Sequence, residues 1–413
     1  MTDPEAPPQA PPLEEVDASF WPGFHWDDPR FKDDVYPWLR RMREQAPVHR
    51  THWGLWRLSR HADVVGVLRH PSVGVRTRQG EVPLLASADA GRGLFMLQQD
   101  PPSHTRLRRL VSRAFTPRAV GRLRPRIDAL VDELLDRVAS QGRMDVIRDL
   151  ALPVPSILIC EMLGVPVEDR ERFTGWTADS TFGLLGRLAS PDQAARAQAA
   201  YVQLIDYFQG LIEERSRDPR DDMLSTLVRA AEDGDRLSPG ELLSQSIGLL
   251  VAGFETTIGL IGNGLRELVL HPEELAKLES DPDLIDSAVE ECLRYAGPVV
   301  ATQRVLHVDV ELSGTKIPAD SPLLLCLASA NRDPEVFVDP DRFDITRDSG
   351  DHVAFGGGAH YCLGANLARI EARAAIGGVV RRFHNLKLER ETFEWGPSLF
   401  RVLADLPIRF DPR

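Results

Sequence analysis

Ile127, Leu130, Val131, Leu134, Leu135 and Val138 recur at spacings of three and four, the pattern of a helix with one apolar face. Leu204, Ile205, Phe208, Leu211 and Ile212 repeat it. The same period prevails from about residue 31 to residue 295, and prolines at 117, 153, 155, 166, 239, 272 and 298 divide it into many helices. Residues 53–58 (WGLWRL) are a short early exception that predicts a strand. Beyond Pro298 the period changes to two. Residues 308–312 alternate apolar and polar, Ser313-Gly314 supplies a turn, and 323–327 predict another strand of a small antiparallel unit. Helical spacing returns at Leu363, Leu367, Ile370, Ala374 and Ile376, and residues 393–410 read as strands. With no internal repeat and no interior low-complexity linker, the pattern predicts a mainly α chain with a small β part. Residues 19–413 form one domain on this reading, after a Pro-rich leader at 1–18 that is expected to be disordered.

The longest nearly uncharged run, residues 242–265, must be tested as a membrane span. Glu255 stands near its middle, where a carboxylate costs roughly 2.5–3.5 kcal/mol in a bilayer. Gln245, Asn263 and several Gly, Ser and Thr dilute the run further, so it predicts the buried axis of a protein outside the membrane. The first twelve residues carry five prolines and no apolar stretch, and predict neither export signal nor anchor.

Composition narrows the function classes. The chain has 413 residues, 43% apolar and 27% charged, which excludes disorder overall, collagen and coiled coil. A net charge of −13 argues against nucleic acid as a partner. Four cysteines without a CxxC exclude a disulfide scaffold and fit a reducing, cytoplasmic compartment.

The chemistry concentrates in residues 355–364, FGGGAHYCLG. Three successive glycines allow the backbone to approach a bound group closely. A Cys just before a helix start faces unpaired backbone N–H groups, so its thiolate is expected to be favoured and suits an iron ligand. A phosphate loop would need Lys and Ser/Thr after the glycines. A dinucleotide fingerprint fails at Tyr361, and a nucleophile elbow fails because His360 stands where Gly is required. Cys160, Cys292 and Cys326 lie in apolar periodic stretches and read as inert core.

This loop resembles the haem-binding loop of the cytochrome P-450 haem-thiolate monooxygenases, F-x-x-G-x-[HR]-x-C-x-G, at Phe355, Gly358, His360, Cys362 and Gly364. Three further motifs fall in the family's order. Residues 252–257 (AGFETT) resemble its [AG]-G-x-[DE]-T-[TS], within the buried run. Glu291-x-x-Arg294 resembles its E-x-x-R, and residues 339–343 (DPDRF) resemble the segment that brings a second Arg, Arg342, to Glu291. His104 and Arg108, at i,i+4 after Asp100-Pro-Pro-Ser103, project from one helix face.

The resemblance implies the family's triangular fold around haem b, with Cys362 as axial iron ligand and Phe355 and Gly356 in the haem loop. It implies that His104, Arg108, Arg304 and His360 grip the two propionates, Arg being suited by its bidentate fork. Gly253 would let the helix open beside the iron, while Thr256 and Glu255 manage protons near bound oxygen. The pocket implied is Leu94, Phe95, Leu249, Ala252, Val299, Val300, Leu399 and Phe400, all apolar. The reaction implied is hydroxylation or epoxidation of a lipophilic molecule with O2, whether secondary metabolite, fatty acid, steroid or drug-like compound. Electrons would come from NAD(P)H through a ferredoxin reductase and ferredoxin to a cytoplasmic monomer. Residues 104–126 hold eight Arg and no acid. Arg106, Arg109 and Arg113 would there form a positive docking patch for an acidic ferredoxin. A peroxide-using or non-hydroxylating haem-thiolate protein, and a hydrolase with Cys362 as nucleophile, are the alternatives.

Overall fold

The computed structural model describes residues 34–51, 54–82, 95–112, 115–184, 189–229, 231–232, 235–396 and 400–413. The leader at 1–18, Trp53, Leu94, Arg113 and Leu399 lie outside the described residues. Helices α1 (Tyr36–Gln45), α2 (His61–Leu68), α3 (Ser103–Ser112), α4 (Pro117–Gly121) and α5 (Arg124–Ala139) come first. Next are α6 (Pro153–Leu163), α7 (Arg170–Thr181), α8 (Pro191–Arg217), α9 (Met223–Arg229), α10 (Pro239–Leu270), α11 (Pro272–Ser280) and α12 (Ile285–Ala296). A short α13 (Leu327–Ala330) and α14 (Ala365–Arg382) complete the set. Pro117, Pro153, Pro239 and Pro272 open helices, where a fixed φ and a missing N–H do no harm. Ser190 and Ser238 form capping boxes with Gln193 and Glu241.

The strands are β1 (Val48–Arg50), β2 (Trp56–Leu58), β3 (Val73–Gly74), β4 (Arg143–Asp145), β5 (Ala231–Glu232), β6 (Asp235–Arg236), β7 (Thr302–Leu306), β8 (Val310–Leu312), β9 (Thr315–Ile317), β10 (Pro322–Leu325), β11 (Phe383–Leu388) and β12 (Pro407–Pro412). They form a five-stranded sheet in the order β1-β2-β10-β7-β3, a three-stranded sheet β11-β12-β4, and the pairs β5-β6 and β8-β9. Ser313 and Gly314 take φ of 44° and 76°, as a two-residue hairpin turn requires. The expected C-terminal strands reduce to β12 and a single bridge between Trp395 and Leu403. β11 was not foreseen, because Val379, Val380 and Phe383 carry the helical spacing of α14 straight into it.

The long apolar run becomes α10, which at 32 residues is about 48 Å long. Its length and composition would allow a membrane crossing, yet 72% of its most apolar window is buried inside the protein. Helices α6, α7, α8, α12 and α14 pack around it. Asn263 Nδ2 pins it by donating to the carbonyls of Ala296 (3.0 Å) and Arg401 (2.9 Å).

Glu291 ties α12 to the segment before the cysteine loop. It accepts from Arg294 Nε and Nη2 (both 2.7 Å), the Asp344 N–H (2.9 Å), Ser349 Oγ (2.8 Å) and Arg347 Nε (3.4 Å). The second Arg is therefore Arg347, which corrects the expectation of Arg342. Phe343 takes the inward direction and is buried, so Arg342 turns outward, leaves 62% of its side chain exposed and stands 3.9 Å from Asp344. Only its carbonyl joins, accepting from Arg294 Nη2 at 3.2 Å.

Close packing on α10 yields a paired prediction. A Cβ at Gly259 would lie 2.6 Å from Pro298 Cβ and 3.1 Å from the Arg401 carbonyl, whereas one at exposed Gly210 on α8 meets nothing within 4 Å. Thermal melts should show Gly259→Ala destabilised by roughly 1–3 kcal/mol. Gly210→Ala should be stabilised by roughly 0.5–1 kcal/mol.

Candidate active site

The glycine loop is shaped by what it must avoid. Gly356 and Gly358 adopt φ of 68° and 65°, and a Cβ at Gly358 would fall 2.1 Å from the Leu68 carbonyl oxygen. No other residue fits there. The loop folds back so that the Cys362 N–H donates to the Phe355 carbonyl at 3.0 Å. Cys362 is exposed, while Cys160, Cys292 and Cys326 are buried in core. Burial pushes the Cys292 thiol well up and that of Cys326 to about 11.

Cys362 corrects one expectation. Solvent reaches its side chain, yet the protein crowds it closely enough that desolvation is the largest influence and raises its pKa. The N–H groups of Gly364 and Ala365 at the start of α14, and the Arg108 and Arg369 guanidinium groups, oppose this without overcoming it. The helix-start effect is present but loses to burial. A coordinated cation would reverse the outcome, because a ligating thiol is deprotonated outright.

Beside Cys362 lie two buried imidazoles, His104 from α3 and His360 from the loop, with ring centroids 4.1 Å apart. None of their four ring nitrogens has a hydrogen-bond partner among the described residues. Burial first, then the charges of His360 and Arg108, lowers His104 to about 4. Burial likewise lowers His360, against the pull of Asp100, whose Oδ1 stands 4.0 Å from His360 Nε2. Burial would raise Asp100 itself, but His360 and the N–H groups of Val75 and Arg76 hold it below the ordinary value. Arg304, on β7, is 6% exposed and donates to Thr302 Oγ1 (3.1 Å) and the Gln303 carbonyl (2.6 Å). Burial lowers it to about 10. Arg108 Nη2 donates to the Tyr361 carbonyl at 2.7 Å, which leaves part of its fork available. Unpaired buried polar atoms are costly, and a cluster of this kind calls for an acceptor. A group with two carboxylates and a metal for the sulfur would satisfy it, so the donor set fits an iron porphyrin.

Across the site runs the middle of α10. Ala252 and Gly253 are exposed and Thr256 half-buried, although Phe254 and Glu255 between them are buried. Thr256 Oγ1 donates to the Ala252 carbonyl at 3.0 Å and Thr257 Oγ1 to that of Gly253 at 3.4 Å. The helix is continuous through Gly253, which corrects the expected opening. Hydroxyls returning to carbonyls one turn back keep the backbone satisfied there. Phe95 lies against this helix, since a Cβ at Gly248 would fall 2.3 Å from its ring. Val299 and Phe400 are half-buried. Leu249 and Val300, expected in the pocket, are buried members of apolar clusters; Val300 packs with Trp38, Leu55 and Ala328. Arg106 leaves the positive patch to pair with Glu241 near the start of α10, while Arg109 stays exposed. Arg109 and Arg108 border a recess of about 440 Å³ with His104, Ser112 and Gly358.

Sequence reasoning missed Glu371. It sits on the buried face of α14, four residues after Leu367 and three before Ala374, a carboxyl in an apolar stripe. That misplacement was the available signal. It is 3% exposed, hydrogen-bonds with the Thr257 side chain, and burial raises it to about 8.

Comparison with known proteins adds the lineage. The family model described as Cytochrome P-450 matches residues 55–395. The chain is 44% identical over 391 residues to cytochrome P-450 monooxygenase PikC of Streptomyces venezuelae, covering 92% of each. It is 40% identical to the vitamin D(3) 25-hydroxylase of Pseudonocardia autotrophica, covering 95% of this chain and 96% of that one. A crystal structure of P450BioI in complex with hexadec-9Z-enoic acid ligated acyl carrier protein matches with a TM-score of 0.86 at 37% identity, covering 92% and 99%.

Glu371 gives a pH prediction with a definite sign. The folded protein holds its proton to about 8, whereas an unfolded chain releases it near 4.5. Between these values the native state binds more protons, so stability falls as pH rises. Melting temperatures of Glu371→Gln should therefore decline less than wild type from about pH 5 to about pH 8. Equal slopes would place no such proton at Glu371.

Proposed function

This chain belongs to the cytochrome P-450 family of monooxygenases, and from that premise we propose that it hydroxylates or epoxidises a lipophilic small molecule with O2. Its electrons come from NAD(P)H through a ferredoxin reductase and ferredoxin. The observation that carries the reading is the set of four buried imidazole nitrogens without a hydrogen-bond partner among the described residues, near the accessible Cys362. Such a set is costly unless a further hydrogen-bonding group completes it.

Haem b, when bound, supplies the oxygen activation and the C–H oxidation. Cys362 would hold its iron as a thiolate, a ligand whose electron density favours O–O cleavage. His104, Arg108, Arg304 and His360 would hold the propionates, with Phe355 and Gly356 in the wall of the loop. The Thr256 hydroxyl is the proton-handling group nearest the accessible face of α10. It can release its Oγ1 proton from the bond to the Ala252 carbonyl and hold it toward the site, with the buried Glu255 as the acid that would resupply it. Glu291, Arg294 and Arg347 keep the loop in place and take no part in the chemistry.

The exposed Ala252 and the half-buried Phe95, Val299 and Phe400 support an apolar substrate. The relatives' names point to a fatty acyl chain, a vitamin D-sized molecule or another secondary metabolite. Arg109 at the mouth of the recess supports docking of an acidic ferredoxin. One apolar core cluster runs from Met96 to Phe410, which supports reading the chain after its leader as one domain.

Two experiments test this. The reduced holoprotein with carbon monoxide should show the red-shifted Soret band of a thiolate haem, and Cys362→Ser should lose it; a wild type without that band ends the proposal. Thr256→Ala should lower product formation with NAD(P)H and a redox pair by roughly 10²-fold or more while reductant consumption continues. Peroxide alone supporting the wild-type rate would point to the peroxygenase alternative.

A further inference from the structure

On the outer side of the cysteine loop, one carboxylate gathers groups from three parts of the fold. Glu290, on α12, accepts two parallel hydrogen bonds from Arg369 of α14, from Nε at 2.6 Å and from Nη2 at 2.8 Å. It also accepts from His352 Nε2 at 3.0 Å. His352 Nδ1 takes the Ala354 N–H at 3.2 Å, so the ring's proton lies on Nε2 and points at Glu290. The His352 side chain is 4% exposed, and those of Glu290 and Arg369 only 23% and 20%. This is a built arrangement and not a passing surface pair.

The guanidinium so held lies over the ring of Phe355, 4.5 Å from its centroid, and its Nη1 donates to the Tyr361 hydroxyl at 3.3 Å. Phe355 and Tyr361 are the two aromatic residues that frame Cys362, and the Phe355 carbonyl receives the Cys362 N–H. Arg369 thus stacks on one of them, holds the other, and stands near enough to the thiol for its positive charge to act on it. The second oxygen of Glu290 is shared with a neutral His, so the anion balances one cation, Arg369.

We infer that Glu290 and Arg369, with His352 as their orienting partner, form a charge-balanced positioning pair near Cys362, each group cancelling the other's effect on the electron-donor strength of Cys362 toward its metal. This rests on the reading of Cys362 as the ligand of haem iron. Removing either charge leaves the other unbalanced beside the sulfur, with opposite electrostatic consequences. A bare Arg369 stabilises the more negative, reduced state of the site; a bare Glu290 destabilises it. A role confined to bracing the loop would make both losses act in the same direction.

The test is equilibrium reduction of the substrate-free holoprotein, followed by its absorption spectrum, for wild type, Glu290→Gln, Arg369→Met and the double variant. Glu290→Gln should shift the reduction equilibrium toward ferrous iron on the order of tenfold, the scale of one unit charge about 12 Å away at an effective dielectric of about 20. Arg369→Met should shift it by a similar factor toward ferric iron, and the double variant should return close to wild type. Arg369→Lys, which keeps the charge and loses the fork and the stacking, should stay near wild type in potential. If Arg369→Met does not load haem, Arg369→Gln carries the same expected sign. Shifts of the same sign in both single variants, or none while the thiolate spectrum is intact, overturn the inference. A wild type that shows no thiolate haem spectrum refutes the assignment of Cys362 itself and is recognised before any variant is made.

Discussion

Two imidazoles, a guanidinium and a thiol are held together inside this protein with too few partners among themselves. The cost of burying polar groups in that state is the constraint to which the rest of the molecule answers. His104 is driven to about 4 and Arg304 to about 10 because the loss of water outweighs the one nearby anion, Asp100. The same desolvation lifts the Cys362 thiol in spite of the N–H groups at the start of α14. A fold tolerates such a cluster only where the surrounding structure over-determines it. Here the determination comes from two sides: the Gly358 turn, pressed against the Leu68 carbonyl, and the Glu291 network behind the loop.

That network illustrates how a buried ion pair serves geometry more than stability. Glu291 and Arg294 have no exposed side-chain surface, so their attraction is offset by their own desolvation. What they provide is a fixed crossing point. Five hydrogen bonds on one carboxylate lock α12 to the stretch containing Asp344, Arg347 and Ser349, which leads directly into the cysteine loop. The neighbouring Glu290 repeats the device one residue earlier, with Arg369 and His352 as its partners. Adjacent carboxylates on one helix therefore serve different tasks, one anchoring the approach to the loop and the other holding the Arg369 guanidinium that stacks on Phe355.

Helix α10 combines two demands that a single apolar period could not meet. It must be buried among five helices, and it must present a bare patch at its centre. Small residues solve both. Gly259 and Gly262 admit Pro298 and Ile147 at close range, while Ala252 and Gly253 leave the backbone accessible where the site lies. The threonines there return their hydroxyls to the preceding turn, so accessibility is gained without breaking the helix.

Local chemistry made much of this legible in the sequence. The three-four spacing, the helix-opening prolines and the Ser313-Gly314 turn depend on neighbours a few residues apart, and so does the need for glycine where φ is positive. The run FGGGAHYCLG declared its cysteine for the same reason. The tertiary structure alone decided which distant side chains meet. It chose Arg347 over Arg342, because a single turn points Phe343 inward; it turned Arg106 to Glu241, and it sank Leu249 and Val300 into core. It also placed Glu371 against Thr257, and Arg369 over Phe355. Burial and electrostatics are sums over everything nearby in space, and a linear pattern fixes only the part of that sum contributed by its own few residues.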